Sequence, residues 1–313
     1  MPYERSKEEV ETALSRHGYL REVGGFAMQH TIVSLYSSST VVNTPETVVR
    51  GRWATADDDF AGEQLLLNYR CDNSRMGFQL GVGRFYQPDA VLSSCHADLE
   101  EDLRGAIPLP KPKAIKVGLT AAVTARRSTR EFTGRPVGLA DLSVLLFHCQ
   151  GATGELPYGN PADPHGAIRL RTAPSGGGLY PVSIFVQAVH VTGLEAGTYA
   201  YLPHAHAVQP VPAGTAAADA VLRSPDLDMT RVGFVLVFVY DLYRNSRKYG
   251  DSGVVFGLIE VGAILQNLHL ARTAVGLAGC DQGSYDKQLI ERALGLDGHT
   301  RHVVHVTVVG QGE

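Results

Sequence analysis

Apolar positions in the second half of the chain recur with two different periods. Residues 139–150 carry apolar side chains three and four positions apart, which predicts an amphipathic helix that ends at Gly151. Residues 256–275 show the same spacing with few charges, so a mostly buried helix is predicted there. Three nearly continuous apolar runs are typical of buried central strands: 183–191, 232–240 and 302–309.

Shorter segments fill the space between these elements. Helices are predicted at 117–127 and 286–294, and the Gly- and Pro-rich residues 151–166 are predicted to form a loop. Two short runs, 199–201 and 207–211, flank turn-forming residues and should form a hairpin that extends the sheet. The predicted fold class is α+β, with a mixed central β-sheet covered by helices.

The first third of the chain has a weaker pattern, which predicts a smaller N-terminal α+β region. A helix is predicted at 6–16, and β-branched runs predict strands at 31–36 and 47–50. Residues 105–113 then contain three prolines within five positions, which disfavour both helix and sheet pairing. A boundary in this segment separates two predicted domains, residues 1–105 and 114–313.

Composition excludes several classes of protein. The 313 residues are 44% hydrophobic and 19% charged, as in an ordinary globular protein, and a net charge of -4 with dispersed basic residues gives no surface for nucleic acid. Four cysteines without a C-x-x-C pair and twelve histidines without partners at ligand spacing predict no metal site. No signal-peptide pattern and no uninterrupted apolar stretch of about 18 residues is present, so a cytoplasmic protein without a membrane span is predicted.

Three segments hold residue types that could carry chemistry, although the usual Rossmann, P-loop and serine-hydrolase fingerprints are absent. Residues 126–130, Arg-Arg-Ser-Thr-Arg, offer guanidinium forks that suit a phosphate, or else a solvated helix end. Residues 171–181 contain three consecutive glycines, which allow backbone to approach a flat ligand or to form a tight turn. Residues 244–250, Arg-Asn-Ser-Arg-Lys-Tyr-Gly, form either a functional or a merely solvated basic loop between a strand and a helix.

Taken together and in this order, the three segments resemble the SagB-type branch of the nitroreductase-like FMN flavoproteins, which includes the azoline oxidases of thiazole/oxazole-modified peptide pathways. The resemblance covers roughly residues 115–313. It includes Glu260-x-Gly262 and Gln266-Asn267-Leu268 on the long predicted helix. The resemblance implies a nitroreductase-like fold, FMN as cofactor, and a pocket shared by two chains of a homodimer.

The resemblance also implies which residues bind FMN. The segment at 126–130 would hold the phosphate, the ribityl chain and the pyrimidine edge, and the glycine-rich segment would line the isoalloxazine ring. The residues around Gly279 would pass near the flavin N5, with Cys280 adjacent but not acting as nucleophile. The expected FMN contacts are Arg126, Arg127, Ser128, Arg130, Pro174, Ser175, Gly176, Gly177, Gly178, Leu179, Gln266, Ala278 and Gly279.

Lys248 and Tyr249 match the Lys-Tyr pair that acts in proton removal in azoline oxidases. Their reference pKa values are both about 10, so burial or neighbouring arginines would have to lower one of them before it could act as a base. Which of the two is the base stays open. The family often has an arginine a few residues after Lys-Tyr-Gly, whereas residues 251–256 of this chain contain none.

The resulting hypothesis is an FMN enzyme that oxidises thiazoline or oxazoline in a ribosomally made precursor peptide, with hydride passing to the flavin and electrons then to dioxygen. A cyclodehydratase complex is the expected setting. One alternative is an NAD(P)H-dependent reductase of dehydroamino acids, nitro groups or quinones on the same fold. Another is a non-catalytic scaffold subunit, whose residues 1–105 would dock a peptide by strand addition or support a dimer.

Overall fold

The computed structural model describes residues 101–157, 167–211 and 227–313, with short stretches at 31–33, 40–42, 65–66, 69, 76–85, 87 and 90–91. The chain divides into two compact units, Met1–Cys71 and Asp72–Glu313. The described strands are β1 (Thr31–Val33), β2 (Thr40–Val42), β3 (Ile107–Pro108), β4 (Val137–Gly138), β5 (Ala152–Pro157), β6 (Ala167–Arg171), β7 (Val182–Ala188), β8 (Val191–Thr192), β9 (Gly197–Leu202), β10 (Ala207–Pro210), β11 (Phe234–Asp241), β12 (Ala278–Gln282) and β13 (Arg301–Gly310). The described helices are α1 (Met76–Arg84), α2 (Leu119–Ala125), α3 (Leu139–Gln150), α4 (Leu242–Tyr249), α5 (Ser252–Ala274) and α6 (Lys287–Ala293).

In the first unit, β1 and β2 form an antiparallel pair, which agrees with the strand predicted from residue 31. The predicted helix at 6–16 and the predicted strand at 47–50 lie outside the described residues. The separate role predicted for residues 1–105 therefore stays a prediction.

A seven-stranded sheet forms the centre of the second unit, in the order β12-β13-β11-β7-β9-β10-β3. Its neighbouring strands pair antiparallel, as in the register of Phe234 with Ala188 on one side and with Val309 on the other. Among the described strands, parallel pairing occurs between β4 and β8, and β5 pairs with β6 in a separate hairpin. The strand pairing of the unit is therefore mixed, although the large sheet itself is antiparallel.

Both faces of the sheet are covered, and the central strand β11 shows why its sequence is a continuous apolar run. Phe234, Leu236, Phe238 and Tyr240 pack into one hydrophobic cluster with α3 and α5. The alternate valines of the same strand pack into a second cluster on the other face, with α6 and β13. Successive side chains of a strand point to opposite faces, so a strand buried on both sides needs apolar residues at every position.

The predicted core elements are confirmed. The helix over 139–150 coincides with α3, and the long apolar helix is α5, which begins four residues earlier than predicted. The helices predicted around α2 and α6, the three central strands, and the hairpin of β9 with β10 are also present.

Three local expectations are wrong. Residues 152–157 of the predicted loop form a strand, because they pair with β6. Residues 242–249 form α4 instead of a loop, because the Asp241 carboxylate caps the helix by accepting bonds from the amides of Tyr243 and Arg244. Ile107–Pro108 pairs with β10 despite the surrounding prolines, because β3 lies at the sheet edge, where a missing N–H is tolerated.

Among the described residues one helix, α5, is long and apolar enough by composition to cross a membrane. Within this fold α5 packs against α3 and α4 and buries Glu260, His269 and Arg272. The core helix of a globular protein meets the same length and hydropathy criterion, so α5 by itself gives only weak support for a membrane span.

Candidate functional site

The glycine loop, defined here as residues 174–179, is a tight turn between β6 and β7. Gly177 and Gly178 have φ values of 66° and 68°, in the left-handed region that favours glycine. Ser175 closes the turn, because its carbonyl accepts a bond from Gly178 N at 3.1 Å and its Oγ accepts one from Tyr180 N at 2.8 Å. The turn leaves Gly177 exposed at its tip.

Lys248 and Tyr249, at the end of α4, converge on this tip. A Cβ atom at Gly177 would lie 2.5 Å from the Tyr249 hydroxyl and 2.6 Å from Lys248 Nζ. Lys248 Nζ also lies 5.1 Å from the centre of the Tyr249 ring. Burial raises the pKa of Tyr249 above its usual value. The structure therefore brings the two predicted catalytic residues and the glycine loop together.

A buried charged group lies behind the loop and was assigned no role from the sequence. Glu260, on α5, is 3% exposed, and burial raises its pKa to about 7, against the opposing effects of the Ser175 hydroxyl and of Arg171 and Arg244. Arg244 Nε donates to the carbonyl of Leu179 at 2.7 Å. The Arg171 guanidinium stacks on the Tyr180 ring at 4.5 Å. These groups stabilise the glycine loop on its buried side.

The arginine segment, residues 126–130, follows α2 and runs beside β12. Thr129 N donates to the carbonyl of Gly279 at 3.1 Å, which places the segment next to two further residues of the expected FMN contacts, Ala278 and Gly279. Ser128, Thr129, Arg130 and Glu131 line an open concavity of about 520 Å³. Arg127, Ser128 and Arg130 are exposed. Nη1 of Arg127 donates to the carbonyls of Thr124 and Arg126 at 2.9 and 2.8 Å, so part of this guanidinium is held by the chain's own backbone.

Arg272 holds the arginine segment from its buried side. Its sequence context had indicated no role for it in the site. Its side chain is 2% exposed, and its guanidinium donates to the Arg127 carbonyl at 2.7 Å and to His269 Nδ1 at 2.9 Å. Because Nδ1 accepts, Nε2 of His269 carries the proton and donates to Asp281 at 2.8 Å. Burial acts to raise the pKa of Asp281, but hydrogen bonds from His269, His305 and Thr307 hold it well below its usual range.

The arginine segment and the glycine loop lie at opposite ends of α5. Phe256, near the start of the helix, contacts the Cβ position of Gly176 at 3.6 Å, whereas Arg272 near its end holds Arg127. These two helix positions are 16 residues apart, which corresponds to about 24 Å along the axis. Gln266 is exposed on the helix between them. One chain therefore does not bring the two halves of the predicted FMN site together.

The remaining predictions concern thiols and metals. Cys280 is buried, its pKa is raised chiefly by burial, and its Sγ accepts a bond from Gln282 Nε2 at 2.9 Å. A thiol held in this way stays protonated and is a poor nucleophile. Within the described ranges, no group of three or more His, Cys, Asp or Glu side chains could hold a metal ion.

Comparison with known proteins gives a family for this geometry. The profile of the nitroreductase family matches residues 123–311, which is more than half of the chain. The chain belongs to the nitroreductase family. Nitroreductase-family proteins are oxidoreductases that typically bind a flavin, FMN, and the fold predicted from the sequence is the fold of this family.

Two curated relatives match parts of the chain. The chain is 32% identical over 189 residues to MJ1384 of Methanocaldococcus jannaschii, a protein named as a nitroreductase. This alignment covers 59% of this chain and 87% of MJ1384. It is also 32% identical over 146 residues to the microcin B17-processing protein McbC of Escherichia coli, which covers 44% of this chain and 52% of McbC. The second alignment thus spans about half of McbC.

Solved structures agree on the fold. A nitroreductase-like protein of Ralstonia eutropha JMP134 superposes with a TM-score of 0.54 at 25% identity, over 67% of this chain and 90% of that chain. A chain of the E. coli microcin synthetase McbBCD complex, with truncated pro-MccB17 bound, matches over the full length of both chains with a TM-score of 0.52 at 20% identity. At that identity the second match supports the fold alone.

Proposed function

We propose that this nitroreductase-family protein is an FMN-dependent oxidoreductase of the SagB-type branch that dehydrogenates thiazoline or oxazoline rings in a ribosomally made peptide. The observation that carries the proposal is the convergence of Lys248 Nζ and the Tyr249 hydroxyl on the tip of the glycine loop. The similarity to McbC, whose name describes the processing of a peptide, supports a peptide as substrate. The family itself supplies the oxidoreductase class.

The residues present fit FMN in two parts. The exposed Ser128 and Arg130 offer hydroxyl and guanidinium donors to a phosphate, in a concavity that is open to solvent. Arg127 would add the donors that its bonds to its own backbone leave open. The missing side chain at Gly177 leaves room for the polar ends of Lys248 and Tyr249 beside an exposed stretch of backbone, which a flat ring could approach. When bound, FMN supplies the hydride acceptor that the chain lacks.

Proton removal is the step that the chain's own side chains would perform. Converting an azoline to an azole removes a proton from a ring carbon as well as a hydride, so a group must take that proton. Lys248 and Tyr249 are the candidates, because their polar ends meet where a ring stacked on the glycine loop would present its edge. Burial disfavours ionised Tyr249, so we assign the proton transfer to the pair and not to a free tyrosinate.

The separation of the two half-sites supports a homodimer. The arginine segment and the glycine loop are about 24 Å apart along α5 in one chain. We therefore propose that the arginine segment of one protomer faces the glycine loop of its partner. Both α2 and α5 expose large apolar side chains, for example Leu119 and Ile259, and such surfaces are typical of interfaces.

The first experiment records the visible spectrum of the purified protein and then adds, anaerobically and in separate samples, an azoline-containing peptide or NADPH. We expect flavin bands that the azoline peptide bleaches and that dioxygen restores. Lys248→Met and Tyr249→Phe should keep the flavin bands but slow bleaching by about a hundredfold or more, the usual contribution of a general base. Lys116→Met, at an exposed lysine outside the site, serves as the matched control.

The names of MJ1384 and the Ralstonia protein favour one second candidate, an NAD(P)H-dependent reductase. If NADPH bleaches the flavin and the azoline peptide does not, the protein is a reductase and the oxidase proposal is rejected. A colourless protein that does not take up FMN would reject both and leave a scaffold subunit. If azoline oxidation needs added cyclodehydratase, the protein works within a peptide-modifying complex.

A further inference from the structure

Helix α1 lies against the helix that carries Lys248, although it precedes the region that matches the nitroreductase family. A Cβ atom at Gly81 of α1 would lie 2.6 Å from the Lys248 carbonyl oxygen, so the glycine allows the two helices to touch. Phe85 follows the last turn of α1 and donates its amide to the carbonyl of Val82 at 3.0 Å. The Phe85 ring at this end of α1 lies near the Lys248 side chain.

The Lys248 ammonium lies between aromatic rings. Its Nζ is 4.8 Å from the centre of the Phe85 ring and 5.1 Å from the centre of the Tyr249 ring. At these distances a ring face attracts an ammonium group by cation–π interaction. Tyr249 is in turn fixed by edge contact with Phe256, with ring centroids 5.0 Å apart.

Phe85 is itself held in place by the glycine-loop side of the structure. It packs against the buried side chains of Val91 and Ile168. Ile168, on β6, lies 3.7 Å from the Cβ position of Gly178. One small cluster therefore joins the end of α1, the base of the glycine loop and the Lys248 head group.

We propose that Phe85 is a positioning residue whose ring holds the Lys248 ammonium over the tip of the glycine loop. The inference rests on the proposed role of Lys248 in proton removal: the ring keeps Nζ in place and stabilises the ammonium group that forms when Lys248 takes the proton. Without this ring, the flexible lysine chain could leave Gly177, because a lysine side chain has several rotatable bonds. The region N-terminal to residue 105 thus contributes directly to the candidate active site, through a residue outside the family match.

The test compares three substitutions in the full-length protein. Phe85→Leu removes the ring face but keeps an apolar side chain, Phe85→Trp restores a ring face, and Val91→Ala loosens the same cluster while leaving the ring. The first measurement needs neither flavin nor substrate: the titration of Lys248 is followed by NMR after reductive methylation with labelled formaldehyde. Phe85→Leu should increase the fraction of neutral Lys248 at a given pH by about two- to fivefold, as expected for loss of one cation–π contact.

Phe85→Trp should return the titration towards wild type, and Val91→Ala should leave it unchanged. Equal shifts in Phe85→Leu and Val91→Ala would overturn the proposal, because Phe85 would then act only through packing. If Phe85→Leu does not fold, Phe85→Met replaces it, since methionine keeps the apolar volume without a ring face.

The second measurement is the pH profile of azoline oxidation. Phe85→Leu should shift the profile in the same direction as the Lys248 titration and lower kcat more than it changes KM. A shift of the titration without any azoline oxidation by the wild-type protein would reject the proposed function while retaining the role of Phe85. If Phe85→Leu leaves the titration of Lys248 unchanged, the proposed role of Phe85 is rejected, whether or not the protein oxidises azolines.

Discussion

At the scale of single residues, the candidate site depends on positions where only one side chain fits. Gly177 combines a φ of 66° with polar atoms of Lys248 and Tyr249 within 2.6 Å of where its Cβ would lie. Arg272 combines near-complete burial with donation to Arg127 and His269. At both positions, the backbone conformation or the neighbouring atoms determine which residue fits, more than the chemical class of the side chain does.

Gly177→Ala should abolish most of the proposed activity, because the new methyl group would displace Lys248 and Tyr249. The left-handed backbone should also cost about 1–2 kcal/mol of the free energy of unfolding. Gly295→Ala is the matched control, because Gly295 has a φ of 65° and nothing within 4 Å of its Cβ position. Urea unfolding and activity are measured on both variants, and equal loss of activity in the two would contradict the expectation.

Arg272→Lys should lower the free energy of unfolding by about 3 kcal/mol, because a lysine cannot serve the acceptors that the buried guanidinium fork reaches. It should also weaken FMN retention, since the Arg127 carbonyl loses its donor. Arg292→Lys, on the exposed side of α6, should change stability by less than about 0.5 kcal/mol. Denaturation and equilibrium dialysis against FMN check the two effects, and unchanged FMN affinity would remove Arg272 from the site.

At the scale of elements, α5 connects both half-sites. Its first turns place Phe256 against the glycine loop, its middle buries Glu260 behind that loop, and its last turns hold Arg272 under the arginine segment. A helix that is mostly apolar but carries these buried polar residues stabilises the core and orients two binding surfaces at once.

Glu260 should give the protein a pH-dependent stability. Its pKa is raised by burial from 4.5 to about 7, so the folded state binds the proton more tightly than the unfolded chain does. The contribution of Glu260 to stability is then full below about pH 4.5 and is lost as the pH rises through about 7. Glu260→Gln should therefore gain stability relative to wild type between about pH 5 and pH 8, by up to about 3 kcal/mol.

Urea unfolding at several pH values measures this difference. Glu195→Gln, at an exposed glutamate, is the control and should follow the wild-type curve. A constant difference between Glu260→Gln and wild type across this pH range would show that Glu260 keeps one protonation state.

At the scale of the whole molecule, we expect the proposed site to be complete only in a dimer. Co-expression of Arg130→Ala with Gly177→Val tests this arrangement, because each variant alone should lack flavin. A mixed dimer would contain one intact site, so statistical mixing should restore about a quarter of the wild-type flavin content. Absorbance and light scattering measure flavin and mass. No recovery in dimers shown to be mixed would place both half-sites within one chain.

The sequence by itself was sufficient to predict the helices and strands whose hydrophobic pattern extends over many consecutive residues. The periodicity of α3 and α5 and the apolar runs of β7, β11 and β13 predicted these elements, because an element buried on one or both faces imposes its own period on the sequence. The order of three motifs was sufficient for the nitroreductase family. Predictions for shorter elements were wrong where a single contact determines the structure. For example, the Asp241 cap makes residues 242–249 the helix α4 instead of the predicted loop.

Only the tertiary structure decided which distant residues meet. Arg272 and Arg127 are 145 residues apart in the chain, and Phe85 lies far from Lys248, so no local pattern relates the members of either pair. No local pattern shows that the arginine segment and the glycine loop lie at the two ends of α5, although the family resemblance implied a pocket shared by two chains. Such contacts depend on how buried surfaces pack against one another, and the free energy of that packing belongs to the folded chain as a whole.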